Sequence, residues 1–353
     1  MGPKARYSFV DALRGVASLW VVLYHGYSKN IVPMSGYEFP EPLHAIFSNG
    51  NLGVYIFFVI SGFVITQSIQ TSFITPKFIG WFALRRSLRL DPPYWATIVA
   101  MIVLSYLSGR VQRDHAPLPL PTWDAVVAHL FYLQGFLGYP QIVGVFWTLC
   151  YEIQFYLTLV VLFGIWQWQR AALRSRWVVF APLWIVSALC IAGSPEPTQE
   201  VLSVYAWPYF FLGVVVNWVH NCEEPPLVLA IVAAGTAALL PFAPLKAGVS
   251  LVTATAIYGV SVSDRLSSLT LGRFLQYLGR ISYSLYLVHM LVGTPLVRFG
   301  LRHLGKISFG TALVLMGLAV AASVVAAHIM YVVVERPAVR WSHRLREFPT
   351  AGR

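Results

Sequence analysis

Long apolar stretches alternate with short polar or proline-rich segments along the whole chain. Because about 20 helical residues cross the hydrocarbon core of a bilayer, each stretch of that length is predicted to span a membrane. Ten spans are predicted, at 9–29, 51–70, 92–108, 144–166, 177–193, 201–219, 226–242, 247–263, 282–300 and 308–333. The pattern predicts an all-α polytopic integral membrane bundle, with a single domain over 1–340 and a short basic tail over 341–353.

The apolar segment 123–138 does not fit the spanning pattern. Its sequence, WDAVVAHLFYLQGFLG, is short, contains Asp124 and His129, and lies between a proline-rich stretch and Pro140. We predict a re-entrant or interfacial helix near 123–138, on the outer side of the membrane. Because non-spanning backbone at membrane depth must be buried in protein, we expect this segment to line a cavity.

Basic residues set the predicted orientation. Four basic segments share one side with the N-terminal MGPKAR only if 123–138 does not cross, and these are 85–90, 169–176, 264–280 and 336–346. Since cytoplasmic loops carry the excess of Lys and Arg, both termini are predicted to be cytoplasmic.

Composition supports a membrane protein and narrows the classes of ligand. The chain is 57% hydrophobic and 11% charged, whereas a soluble domain carries roughly 25% charged residues. The formal charge of +11 comes from a few short loops, so nucleic acid is not an expected partner. The three cysteines, Cys150, Cys190 and Cys222, lie far apart, and the spacing predicts neither a metal site nor a disulfide framework.

The first predicted span carries a polar stripe. In DALRGVASLWVVLYHG (11–26), a helical rotation of about 100° per residue places Asp11, Arg14, Ser18 and His25 on one face. Ionisable groups inside a membrane usually mark a functional site, because burying them there is costly. The alternatives left open are a structural Asp11–Arg14 pair at the cytoplasmic edge and a His25 that is merely hydrogen-bonded in the bundle.

A carboxylate lies inside the fourth predicted span. Glu152 in VFWTLCYEIQFYL has no basic residue near it in sequence, so it is expected to find a partner in the fold. We expect that partner to be His25, since a carboxylate beside an imidazole is a general-base arrangement. A purely structural Glu152 stays open.

Further polar groups lie near other spans. Arg85, Arg86 and Arg89 suit phosphate recognition, although the positive-inside rule alone also explains them. Tyr283, Tyr286 and His289, spaced three apart, are expected either to line a cavity or to form interhelical hydrogen bonds. Glu335, before Pro337, is expected to form a structural ion pair.

Six motifs carry a resemblance to a known family. They begin with FVDALRGVASLWVVLYHG, in which ten residues separate Arg14 from His25, and continue with GVYIFFVISGFVIT, RRSLRLDPPYW, FWTLCYEIQFY, GRISYSLYLVH and VERP. In this order, from residue 9 to 337, the chain resembles the membrane-bound acyltransferase-3 family of bacterial O-acyltransferases. The resemblance implies ten membrane helices in the bacterial inner membrane. It also implies transfer of an acyl group, often acetyl, from cytoplasmic acyl-coenzyme A to a hydroxyl of an extracytoplasmic glycan or glycolipid.

Some family members carry a fused SGNH domain, and this sequence is not expected to include one. Any second acyl relay is therefore expected from a separate protein. A homo-oligomer is the other partner left open.

From the polar residues and the family resemblance together, we predict that His25 is the general base, oriented by Glu152. Arg85, Arg86, Arg89 and Arg14 would hold the donor, acyl-coenzyme A, and no metal is predicted. Arg14, Tyr286 or a backbone amide near Ser61 would stabilise the oxyanion.

Two alternatives complete the predictions. In one, His25 accepts the acyl group covalently before passing it on. In the other, the chain is not an enzyme but a transporter or flippase for a lipid-linked glycan, and the polar groups form a proton relay. The sequence shows no convincing internal repeat, which disfavours the transporter.

Overall fold

The computed structural model describes residues 7–111, 120–170, 172, 175–193, 201–304 and 306–345, without the side chains of 108–111. Every regular element in these residues is helical, as the apolar pattern predicts. The α-helices are α1 Ser8–Gly26, α2 Val32–Ser35, α3 Leu43–Ser48, α4 Gly53–Ile69, α5 Pro76–Val111, α6 Trp123–Leu130, α7 Phe146–Trp168, α8 Trp177–Gly193, α9 Trp207–His220, α10 Pro226–Ala237, α11 Pro244–Val262, α12 Arg273–Arg280, α13 Ser282–His303, α14 Phe309–Met330 and α15 Arg336–Arg344. Two π-helical turns, Tyr27–Ile31 and Tyr331–Glu335, follow α1 and α14.

Helices occur at all ten positions where the sequence predicts spans, and six spans in the described residues are long and apolar enough to cross a membrane. These six are Gly50–Ile69, Pro76–Leu107, Phe146–Trp168, Pro244–Val262, Ser282–His303 and Phe309–Arg344. Helices α8 and α10 are apolar but shorter. The predicted tail is in part helical, since α15 reaches Arg344, and residues 346–353 lie outside the described ranges.

Helix α5 differs most from its predicted span. The sequence predicts a helix over 92–108 after a basic loop, but α5 begins at Pro76 and continues through Pro92 and Pro93. The three arginines therefore lie inside a helix. Asp91, directly before the two prolines, accepts hydrogen bonds from the Ser87 hydroxyl and from the Tyr132 hydroxyl.

The segment around α6 is short. Its eight residues measure about 12 Å along the helix axis, too little to cross a hydrocarbon core of about 30 Å. After α6 the chain turns at Tyr132, which has φ 59°. Tyr132 stacks on Tyr94 of α5 at 4.6 Å between ring centroids, and its hydroxyl donates to Asp91 Oδ1 at 2.9 Å. These contacts hold the segment against α5.

Close helix crossings at glycine position the polar side chains of α1 and α4. A Cβ on Gly279 of α12 would lie 1.8 Å from the Asp11 carbonyl oxygen. Only glycine therefore lets α12 pack this closely against α1, about one helical turn before Arg14. A Cβ on Gly62 would lie 1.9 Å from the Phe210 carbonyl oxygen of α9. Because Gly62 faces α9, its neighbour Ser61 turns toward α7.

Candidate functional site

A cavity of about 870 Å³, counting the space at its mouth, lies between α1, α4, α5, α7 and α13. We call it the central cavity. Much of its apolar lining comes from α4 side chains that include Phe57, Ile60 and Val64. Its polar lining consists of Arg14, Ser61, Arg86, Arg89, Thr148, Glu152, Ser282, Tyr283, Tyr286 and Glu335. An amphipathic ligand with a charged end fits such a lining.

The charges lining the central cavity do not balance. Three arginines and two glutamates line it, so its formal charge is +1. Arg14 Nε donates to Ser282 Oγ at 3.2 Å, and the Arg86 guanidinium lies 4.9 Å from the centroid of the Tyr156 ring. Within the described residues, the ion pairs closer than 4.0 Å belong to Arg176, far from this cavity. Guanidinium groups without a bound carboxylate suit an anionic ligand such as a phosphate.

Arg85 does not line the central cavity. Its guanidinium lies 5.1 Å from the Trp81 ring centroid, and its Nη2 lies 3.3 Å from Nδ1 of His343 on α15. Of the four arginines expected to hold the donor, Arg14, Arg86 and Arg89 line the central cavity and Arg85 does not. Positions 85 and 86 point about 100° apart around α5, with position 89 between them, and the central cavity lies on the side of position 86.

Glu152 lies in the central cavity, not beside His25. Its Oε1 accepts a hydrogen bond from Ser61 Oγ at 3.0 Å, and its charge interacts with Arg14, Arg86 and Arg89. The expected pairing of Glu152 with His25 is thus wrong. The physical reason is that three nearby guanidiniums already compensate the carboxylate, although none is close to it in sequence.

Glu335 holds the first turn of α13. The first backbone N–H groups of a helix lack an intrahelical partner. Glu335 Oε2 accepts from Ser284 N at 3.2 Å and from Ser284 Oγ at 2.6 Å. The expected ion pair of Glu335 is therefore corrected to a helix cap, and this cap fixes the turn that carries Ser282 and Tyr283.

His25 and His289 meet one helical turn beyond the central cavity. His289 Nε2 lies 3.2 Å from His25 Nδ1, and the ring centroids are 4.9 Å apart. His25 Nδ1 also lies 2.9 Å from the Val21 carbonyl oxygen. Of the two alternatives that the sequence leaves open for His289, the structure has the interhelical hydrogen bond, and His289 is not among the residues that line the central cavity. Helical periodicity indicates that each histidine is on a polar face, but it cannot predict a contact between residues separated by 264 positions in sequence.

Tyr286 connects the two regions. It lines the central cavity, and its hydroxyl lies 2.7 Å from Thr148 Oγ1 and donates to the Val145 carbonyl at 3.2 Å. The Tyr286 ring centroid is 6.0 Å from that of His289. Tyr286 is therefore adjacent to both the central cavity and the histidine pair.

Two of the other sequence candidates have fixed partners. The Tyr283 hydroxyl donates to the Leu90 carbonyl at 2.8 Å. The amides around Ser61 lie in the interior of α4, where helical hydrogen bonds already use the N–H groups, so they are withdrawn as oxyanion donors. Within the described ranges, no group of three or more His, Cys, Asp and Glu side chains is placed to hold a metal ion.

Comparison with known proteins adds a family. The model of a family described as an acyltransferase domain, the acyltransferase-3 family, matches residues 7–328. Nodulation protein 10 of Rhizobium leguminosarum bv. viciae is 29% identical over 276 residues, covering 70% of this chain and 73% of that protein. Acyltransferase MdmB of Streptomyces mycarofaciens is 26% identical over 347 residues, covering 86% and 84%.

A third relative is BcsY of Komagataeibacter xylinus, provisionally described as a membrane-bound transacylase. It is 28% identical over 380 residues, which cover 99% of this chain and 87% of BcsY. No solved structure matches the chain.

Proposed function

Because the chain belongs to the acyltransferase-3 family, it is a membrane acyltransferase, and we propose that it moves an acyl group, chiefly acetyl, from cytoplasmic acyl-coenzyme A to a carbohydrate hydroxyl outside the membrane. The observation that carries this proposal is the central cavity. Its three guanidiniums outnumber its two carboxylates and suit the phosphates of coenzyme A, and its apolar side chains suit a pantetheine arm and an acyl group.

The proposed topology has ten spans in the bacterial inner membrane, with both termini cytoplasmic and the α6 segment on the outer surface. In this orientation α1 runs outward from Arg14 to His25, a rise of about 16 Å. Arg86 and Arg89 then lie toward the cytoplasmic end of α5, on the donor side. A donor confined to the cytoplasm and an acceptor confined to the outside would meet near His25.

The proposed reaction uses His25 Nε2 as the general base. It accepts the proton of the acceptor hydroxyl while the hydroxyl oxygen attacks the thioester carbonyl carbon. The new C–O bond forms, the C–S bond breaks, and the proton passes from His25 to the departing thiolate, giving an ester and free coenzyme A. Among the sequence candidates for oxyanion donor, Tyr286 already donates to the Val145 carbonyl and Arg14 lies about 16 Å from His25 along α1, so the proposed step assigns this role to neither.

The acceptor in this proposal is a glycan or glycolipid. The family resemblance supports this class, and nothing in the described outer segments selects one sugar. If the acceptor cannot reach His25, the proposal requires a second copy of the chain or a separate relay protein to carry the acyl group to it.

Purified protein incubated with labelled acetyl-coenzyme A tests the proposal. We expect slow hydrolysis alone and acyl transfer when membrane glycolipid extract is added. His25→Ala should abolish both while donor binding persists, because His25 lies outside the central cavity. Absence of hydrolysis and transfer in the wild-type protein, with unchanged surface glycans in a deletion strain, would refute the enzyme and favour the transporter alternative.

A further inference from the structure

The hydrogen bonds of His289 fix which of its nitrogens carries the proton. The side chain is 1% exposed. Its Nδ1 lies 2.8 Å from the Tyr286 carbonyl oxygen and 3.1 Å from the Leu285 carbonyl oxygen. Carbonyl oxygens only accept, so Nδ1 carries the hydrogen. In the neutral ring, His289 Nε2 is then an acceptor.

This acceptor fixes the proton of His25 in turn. His289 Nε2 faces His25 Nδ1 at 3.2 Å, and a nitrogen lone pair needs a donor opposite it. The Val21 carbonyl oxygen, 2.9 Å from the same Nδ1, is also an acceptor and therefore also requires a hydrogen on Nδ1. Two acceptors therefore select the His25 tautomer with the proton on Nδ1. In that tautomer Nε2 holds the lone pair, and no group in the described part of the chain hydrogen-bonds to it.

The partner of His25 is uncharged, which distinguishes this pair from an imidazole beside a carboxylate. Glu152 and Glu335 are bonded to Ser61 and Ser284 instead. When His25 takes up a proton on Nε2, its Nδ1–H continues to donate to the same two acceptors. The pair thus accommodates the charged form of His25 without placing a second ion in the bundle, where a charge is costly.

We propose that His289 is a positioning residue for the acyl transfer: it holds His25 in the tautomer whose Nε2 can accept the proton of the acceptor hydroxyl. This inference rests on the proposed function for the reaction, but the contact and the tautomer are properties of the protein alone. They can be tested without turnover.

Nitrogen-15 NMR of the full-length protein in detergent micelles, labelled at histidine, measures the tautomer directly. The chain has nine histidines, and the His25→Gln spectrum assigns the signals of His25. We expect the wild-type signal to show a protonated Nδ1 and an unprotonated Nε2. In His289→Leu one acceptor is lost, and the His25 signals should shift toward a mixture of tautomers. His289→Gln offers its amide oxygen near the position of the lost Nε2, so it should restore the wild-type pattern.

His129→Leu is the matched control. His129 is also fully buried and also places Nδ1 against the carbonyl four residues earlier, at 2.7 Å from Ala125 O, but it lies on α6 and bonds to Ile142 N. It should leave the His25 signals unchanged. If the His25 tautomer is the same in wild type and His289→Leu, the proposal is overturned, whatever happens to activity.

Kinetics then connect the tautomer to the reaction. His289→Leu should lower kcat by about tenfold to a hundredfold, by analogy with the loss seen when the partner that orients a metal-bound histidine is removed. The KM for acetyl-coenzyme A should stay near the wild-type value, and His289→Gln should recover most of kcat. If His289→Leu shifts the His25 tautomer but the wild-type protein transfers no acyl group, the contact is supported and the proposed function is refuted. An unchanged kcat in His289→Leu would refute the positioning role.

Discussion

At the scale of single residues, neighbouring arginines on α5 differ in what they face. Arg86 and Arg89 line the central cavity, whereas Arg85 packs over Trp81 beside His343. Composition alone gives the three arginines one role, because all of them follow the positive-inside rule. Their positions around the helix separate them, and this separation provides a mutational experiment with an internal control.

The double variant Arg86→Ala/Arg89→Ala should weaken binding of acetyl-coenzyme A at least about tenfold. A hydrogen bond to a charged group contributes roughly 1.5–3 kcal/mol, and about 1.4 kcal/mol is a factor of ten in affinity. Arg85→Ala should bind the donor like wild type. Equilibrium binding of labelled donor to the purified variants measures both. Equal losses in the two variants would show that the cavity arginines have no special role.

A second residue-scale prediction concerns Glu335. Glu335→Ala leaves the first-turn N–H and the hydroxyl of Ser284 without their acceptor, so the free energy of unfolding should fall by about 1–2 kcal/mol. Glu335→Gln keeps an acceptor oxygen and should recover most of the loss. Thermal unfolding in detergent micelles measures the order wild type, Gln, Ala. A Gln variant as unstable as Ala would show that charge, and not the cap, is what matters.

The residues of the site were predictable to different degrees. Helical periodicity placed Arg14 on an inward face, and Arg14, Glu152 and Tyr286 do line one cavity. The partners of these residues were not predictable. Glu152 faces Ser61 and His25 faces His289 because of which helices are neighbours, and periodicity within one helix does not specify its neighbours.

At the scale of elements, helix positions followed from the apolar pattern and helix ends did not. The pattern placed the start of the third span at 92, after the arginines, but α5 starts at Pro76. The half-buried cations on the charged turn of α5 pack against the central cavity and against aromatic rings, such as Arg86 over Tyr156. Tertiary surroundings of this kind leave no local signal in the sequence.

The attachment of the α6 segment to α5 gives an element-scale prediction. The Asp91 carboxylate is 8% exposed and accepts from the hydroxyls of Ser87 and Tyr132. Tyr132→Phe keeps the ring stacked on Tyr94 but removes one donor from a buried carboxylate, which should lower the free energy of unfolding by about 1–3 kcal/mol. Tyr139→Phe is the control, since the Tyr139 hydroxyl donates to Asp124 in an exposed bond. Chemical denaturation in micelles should rank Tyr132→Phe below Tyr139→Phe; the reverse order would contradict this attachment.

At the scale of the whole molecule, the functional proposal depends on orientation. The central cavity is a route for a cytoplasmic donor only if the end of α1 that carries Arg14 faces the cytoplasm and the His25 end faces outward. The distribution of basic segments supports that orientation provided that the α6 segment does not cross. The eight residues of α6 are too few to cross alone, so the side on which the chain emerges after this segment decides the topology.

Single cysteines on either side of the α6 segment test this directly. In a background with Cys150, Cys190 and Cys222 replaced, Thr122→Cys and Pro140→Cys flank the segment at exposed positions, and Ser268→Cys lies in a basic segment. A membrane-impermeant maleimide added to intact spheroplasts should label positions 122 and 140, because the chain returns to the outer surface without crossing. Position 268 should react only after permeabilisation, since basic segments remain cytoplasmic. Protection of position 140 alone would mean that the segment crosses; the helices after it would then be inverted, and α13 could not bring His289 to His25 in this orientation.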